Sequence, residues 1–92
     1  MILLDDIQKN KMGREYKIKC SLPSDYKPRS VLMKLPSPMK KGSGEETYNF
    51  RVEADGFYLI DHLNERQTAS LALQIFIDEA LSHSESIEIL EP

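Results

Sequence analysis

From Thr47 to Leu63 the chain alternates apolar and polar residues on both sides of an Asp-Gly pair, a pattern that an antiparallel hairpin satisfies and a helix does not. Tyr48, Phe50, Val52 and Ala54 fall on one face of the first run, and Phe57 to Leu63 continues the alternation after the break. Asp55-Gly56 predicts a two-residue type I′ turn. That turn pairs Ala54 with Phe57, Val52 with Leu59, Phe50 with Asp61 and Tyr48 with Leu63. The opposite face then carries Glu53 with Tyr58, Arg51 with Ile60 and Asn49 with His62, and is partly wet.

After a turn at Asn64–Gln67, Thr68 reads as an N-cap. Ala69, Ala72, Leu73, Phe76, Ile77, Ala80 and Leu81 recur at helical spacing, and Leu71 and Ile75 widen the stripe. Ser70, Gln74, Asp78, Glu79 and Ser82 are left for solvent, and the helix ends near His83. Ser86–Leu90 alternates again and predicts a last strand.

The first half is less regular. Leu3–Met12 reads as a short helix, with aspartates in its first turn and lysines in its last; a strand over Ile2–Ile7 is the alternative. Tyr16, Ile18, Cys20 and Leu22 alternate with Lys17, Lys19 and Ser21, the period of a half-buried strand. A further strand over Ser30–Leu35 puts Val31, Met33 and Leu35 on one face and Leu32 and Lys34 on the other. Residues 36–46, with two prolines and Gly42-Ser43-Gly44, read as a mobile loop.

These elements define an α+β fold. A four- to five-stranded, mostly antiparallel sheet carries one long amphipathic helix packed on one face, with a short N-terminal helix. With 92 residues, 40% hydrophobic and 29% charged, one domain over 1–92 is expected. One helix covers one side of such a sheet. Leu32, Tyr58, Ile60 and Leu90 are expected on the other side, partly covered by Leu3, Leu4 and Ile7. An under-covered face is a route to a homodimer, so Leu32, Tyr58 and Ile60 are the candidate self-association residues.

Charge divides unevenly. Residues 1–46 carry a balance of +4 and residues 47–92 one of −7, within a net charge of −3. Between Lys9 and Lys41, ten basic residues face only Glu15 and Asp25. Lys17, Lys19, Lys34, Lys40 and Lys41 are therefore the candidate partner-binding residues. Three uses compete: a solvated edge that discourages strand aggregation, a seat for an acidic protein surface, and a weak nucleic-acid site. The last ranks lowest, because the net charge repels a polyanion and that face has few aromatic rings.

No catalytic constellation stands out. The lone Cys20 sits on the apolar side of its alternation and His62 on the opposite side of its hairpin, so Cys20 reads as a core residue. Asp61, His62 and Glu65 supply metal-ligand atoms without a recognised ligand spacing. Asp61 interrupts an apolar face and reads as a hydrated carboxylate at the core's rim. Gly42-Ser43-Gly44 lacks the phosphate-loop spacing and a following helix. The expectation is no catalytic residue, no metal and no cofactor. A hairpin leading into an amphipathic helix recurs in many small α+β proteins and singles out no family. Thr68–Leu73 also lacks the lysines that open the last helix of a double-stranded-RNA-binding domain.

With one cysteine no internal disulfide forms, which favours a reducing compartment. Met-Ile-Leu-Leu followed by Asp5 and Asp6 does not read as a signal peptide, and no apolar run is long enough for a membrane span. A cytoplasmic, non-enzymatic interaction or regulatory protein is expected, acting through protein partners and self-associating as a dimer, as an accessory protein of a mobile element would. The alternatives are nucleic-acid binding through the basic 9–41 region, and a small-molecule site or enzyme at a dimer seam.

Overall fold

A computed structural model describes residues 13–40 and 42–92. In chain order they form β1 (Arg14–Lys19), α1 (Arg29–Leu32), β2 (Tyr48–Glu53), β3 (Gly56–Asp61), α2 (Arg66–His83) and β4 (Glu88–Leu90). The fold is α+β. The four strands make one sheet in the order β2-β3-β1-β4, and every neighbouring pair is antiparallel. The helix expected over Leu3–Met12, with its alternative strand, lies outside the described residues, as do Lys9, Lys11 and Lys41.

The alternation of β1, β2 and β3 sorts the sheet into two faces. Tyr16, Ile18, Tyr48, Phe50, Val52, Phe57, Leu59 and Asp61 share the face that α2 crosses, as the register shows: Tyr16 and Phe50 both stand opposite Leu59, and Ile18 and Val52 opposite Phe57. From α2, Ala69, Ala72, Phe76 and Ala80 are fully buried against that face. The alanines let the helix approach, and Phe76 fills the gap, with its ring 5.1 Å from both Phe50 and Phe57. Burying each such ring contributes about 2–3 kcal/mol.

Three expectations are corrected. Ser30–Leu35 is no strand: the single helical turn α1, Arg29–Leu32, runs into it. Pro28 holds helical angles (φ −57°, ψ −19°), and its carbonyl accepts from the amides of Val31 and Leu32. One turn directs only Val31 into the core. Leu32 and Met33, at 50% and 76% exposure, stay in solvent, and Leu32 does not share a sheet face with Tyr58 and Ile60.

The hairpin register also differs. Val52 faces Phe57, Phe50 faces Leu59 and Tyr48 faces Asp61, so the two loop residues are Ala54 and Asp55. Neither takes a positive φ, which excludes type I′ geometry; Gly56 instead opens β3 at φ 141°. The displacement is two residues, so each side chain keeps its expected face. Gly56 also sits hard against β1: a β-carbon there would lie 1.9 Å from the Ile18 carbonyl oxygen.

The third correction concerns α2. It starts at Arg66 with Glu65 as the cap residue, not at Thr68, and Glu79 is buried at 3% exposure where solvent was expected. Leu71 and Leu81, placed in the apolar stripe, are 46% and 48% exposed.

Residues 36–40 and 42–46 are loop, closed by a bridge between Met39 and Glu46. Thr47 donates both its amide and its hydroxyl to the Pro38 carbonyl, and the Tyr48 hydroxyl donates to the Pro36 carbonyl. Among the described residues, no helix is long and apolar enough to cross a membrane.

Candidate functional site

The sheet face turned away from α2 carries Glu15, Lys17 and Lys19 from β1, Asn49, Arg51 and Glu53 from β2, and Tyr58 and Ile60 from β3. No described element packs over it. Its polar groups, the exposed Lys19 apart, are paired within the plane of the sheet. The Lys17 ammonium bridges Glu53 and Asp55, 2.6 Å from the latter, and its side chain is only 14% exposed. Arg51 reaches Glu53 at 3.3 Å and lays its guanidinium over the Tyr58 ring, 4.5 Å from the centroid. The Tyr58 hydroxyl donates to Glu15, and His62 pairs with the Asn49 side-chain oxygen.

These contacts set the charge states. Burial works against the Lys17 ammonium, but Asp55 and Glu53 outweigh it and raise its pKa. The same hydrogen bonds lower Glu53 and Asp55 below the usual carboxylate range. Glu15, as acceptor, raises the Tyr58 hydroxyl. The face is thus a charged surface whose ions, Lys19 apart, are paired, with Tyr58 and Ile60 half-buried at its centre.

The five candidate lysines do not converge. Lys17 and Lys19 share this face as the alternation implied, and Lys19 is exposed. Lys34 follows α1 and pairs with Glu79 at 3.0 Å. Lys40 donates to the Asn64 carbonyl at 3.3 Å, and Lys41 lies outside the described residues. Of the self-association candidates, Tyr58 and Ile60 are neighbours on one face of β3, and Leu32 is apart on α1.

The residue that sequence reasoning missed is Glu79. Its carboxylate accepts from the hydroxyls of Tyr26 (2.7 Å) and Ser30 (2.6 Å) and from Lys34, with His83 Nε2 3.7 Å away. Burial alone would raise its pKa; the three donors and the lysine charge overcome that and hold it at about 2. This fixes α1 and the Tyr26 loop onto α2. The spacing held the signal, since Glu79 follows Phe76 by three residues and Ala72 by seven, on the buried side of the helix.

Cys20 lines an open cavity of about 670 Å³ with Asp55, His83, Ser84 and Glu88. It is half-buried, and burial pushes its thiol up, away from the reactive thiolate. His62 belongs to the opposite face. Asp61 is 4% exposed, not hydrated: one oxygen accepts from the Leu63 amide at 2.7 Å and the other lies 3.5 Å from Arg66. Among the described residues, no group of three His, Cys, Asp or Glu side chains is placed to hold a metal ion.

No family model, curated protein or solved structure matches this chain.

Proposed function

We propose that this protein is a small non-enzymatic interaction protein of the cytoplasm that self-associates through its sheet and acts on protein partners. The observation that carries the reading is the half-covered sheet: α2 packs on one face, and no described strand pairs with the outer edge of β2 and no described element lies over Tyr58 and Ile60. A surface whose charges, the exposed Lys19 apart, are already paired in plane suits another protein's mixed surface, because covering it strands few lone ions. The decisive experiment is molar mass by light scattering across micromolar concentrations. Growth from monomer to dimer supports the reading, and a chain that stays monomeric at high micromolar concentration refutes it.

A further inference from the structure

The hydrogen bond from the His62 amide to the Thr47 carbonyl, at 3.1 Å, fixes which way each β2 residue turns its backbone. It identifies Tyr48 and Asp61 as a pair that does not exchange ladder bonds. Asn49, Arg51 and Glu53 therefore bond to β3, while Tyr48, Phe50 and Val52 turn their N–H and C=O groups outward. Among the described residues, β3 is the only neighbour of β2 in the sheet. No described residue accepts from or donates to those outward groups.

Natural edges are blunted by shortness, proline, bulges or lysine. The other edge strand, β4, is three residues long. β2 spans six residues, Tyr48–Glu53, with no proline, glycine or lysine, and its two charges, Arg51 and Glu53, pair with each other on the outer face. Its outward residues also carry half-buried apolar side chains, Phe50 and Val52, at the rim of the core. A strand laid along this edge would satisfy the backbone and extend the apolar layer together.

We propose that β2 is a strand-pairing edge on which a second copy of this chain docks its own β2 antiparallel, with Phe50 opposite Phe50 of the second copy. The occupant is identified by the match of pattern and charge. In that register Tyr48 stands opposite Val52 of the copy and Arg51 opposite Asn49, so apolar meets apolar on the helix side and no like charges oppose on the outer side. Every outward group of Tyr48, Phe50 and Val52 gains a partner. Moving one copy by two residues toward the hairpin loop sets Arg51 against Arg51 and leaves fewer groups paired. The two-fold arrangement closes, so it stops at a dimer. The inference rests on the self-association reading above and assigns its seam to the edge, leaving Tyr58 and Ile60 free.

The test is the mass of the full chain against concentration for the wild type, Val52→Pro and Ile60→Asp. Val52→Pro removes an N–H that bonds no described residue, whereas Ile60→Asp charges the outer face. The expected result is a wild-type dimer, association weakened at least about tenfold in V52P, and I60D unchanged within about twofold. A V52P dimer with an I60D monomer overturns the edge and leaves self-association standing. A monomeric wild type removes both. Should V52P not fold, amide exchange of the wild type decides. Phe50 and Val52 amides must slow by about tenfold or more as concentration drives association, while Asn49 and Arg51, already bonded to β3, change little. Equal exchange at both concentrations overturns the proposal.

Discussion

The Tyr26 hydroxyl donates to the buried carboxylate of Glu79 at 2.7 Å, joining the loop after β1 to the last turns of α2. Burial pushes Tyr26 up to about 12, and its acceptor adds to the rise, so the hydroxyl stays a donor at any ordinary pH. Ser30 and Lys34 complete the shell. Glu79→Gln keeps the volume but removes the charge that Lys34 faces, and should destabilise by about 2–4 kcal/mol at neutral pH. Chemical denaturation measures it, and a loss below about 0.5 kcal/mol would show the shell to be incidental.

Glu79 also predicts an acid limb. Its folded pKa of about 2 lies below the ordinary 4.5, so its stabilisation is complete above about pH 4.5 and is lost as pH falls through about 2. The depression corresponds to at most about 3 kcal/mol. Unfolding free energy should therefore fall across that window, and the E79Q profile should be flatter there. Parallel profiles for the two proteins would exclude Glu79 as the source.

Gly56 should tolerate no side chain. Its φ of 141° disfavours any other residue, and an added β-carbon would sit 1.9 Å from the Ile18 carbonyl oxygen. Even Gly56→Ala must displace β1 from β3, a loss of about 3 kcal/mol or more. Gly42 is the control: its φ is 87°, but nothing lies within 4 Å of an added β-carbon. Gly42→Ala should cost only about 1 kcal/mol of backbone strain. Equal melting temperatures for the two variants would contradict the close β1–β3 approach.

What the sequence showed and what it hid follow from how local each signal is. Period-two alternation gave β1, β2 and β3 their faces, because facing depends only on neighbours along the chain. The register of β2 on β3 differs by two residues, since Asp-Gly fits a turn equally well one step away, and the close approach of Gly56 to Ile18 across the sheet is no local signal. Val31, Met33 and Leu35 also alternate, yet Pro28 starts a helical turn there, and three apolar residues are too few to separate the two periods. Glu79 was assigned to solvent by residue type. Its partners Tyr26, Ser30 and Lys34 lie more than forty residues earlier in the chain, beyond the reach of any local pattern.

Cys20 should react slowly. Its half-buried thiol is pushed up chiefly by burial, with Lys17 opposing and Asp55 and Glu79 adding to the rise. Alkylation near neutral pH should run several-fold slower than for an open peptide thiol and recover as pH rises, while Cys20→Ala should cost about 1 kcal/mol. A rate equal to that of the open thiol would mean the cavity holds a thiolate, which the surrounding carboxylates do not favour.

The lysines offer the sharpest contrast between charge counted along the chain and charge placed in space. Lys17 is held by Glu53 and Asp55, and Lys34 by Glu79, so of the strand lysines Lys19 alone is exposed without a described ion-pair partner. A phosphate backbone would have to displace these carboxylates before gaining a contact. Binding of the wild type to a generic duplex or RNA should therefore be weak at low salt and absent near physiological salt. Neutralising Lys17, Lys19 and Lys34 together should change that binding little. It should instead lower stability by about 1–3 kcal/mol, because Glu79 loses its cation in a buried site. The measurements are a salt titration of affinity and a denaturation curve on the same samples. If the wild type shows a steep salt slope that falls by about one for each lysine removed, those side chains contact phosphates and the ion pairs open on binding. A flat slope with reduced stability assigns them to holding the fold.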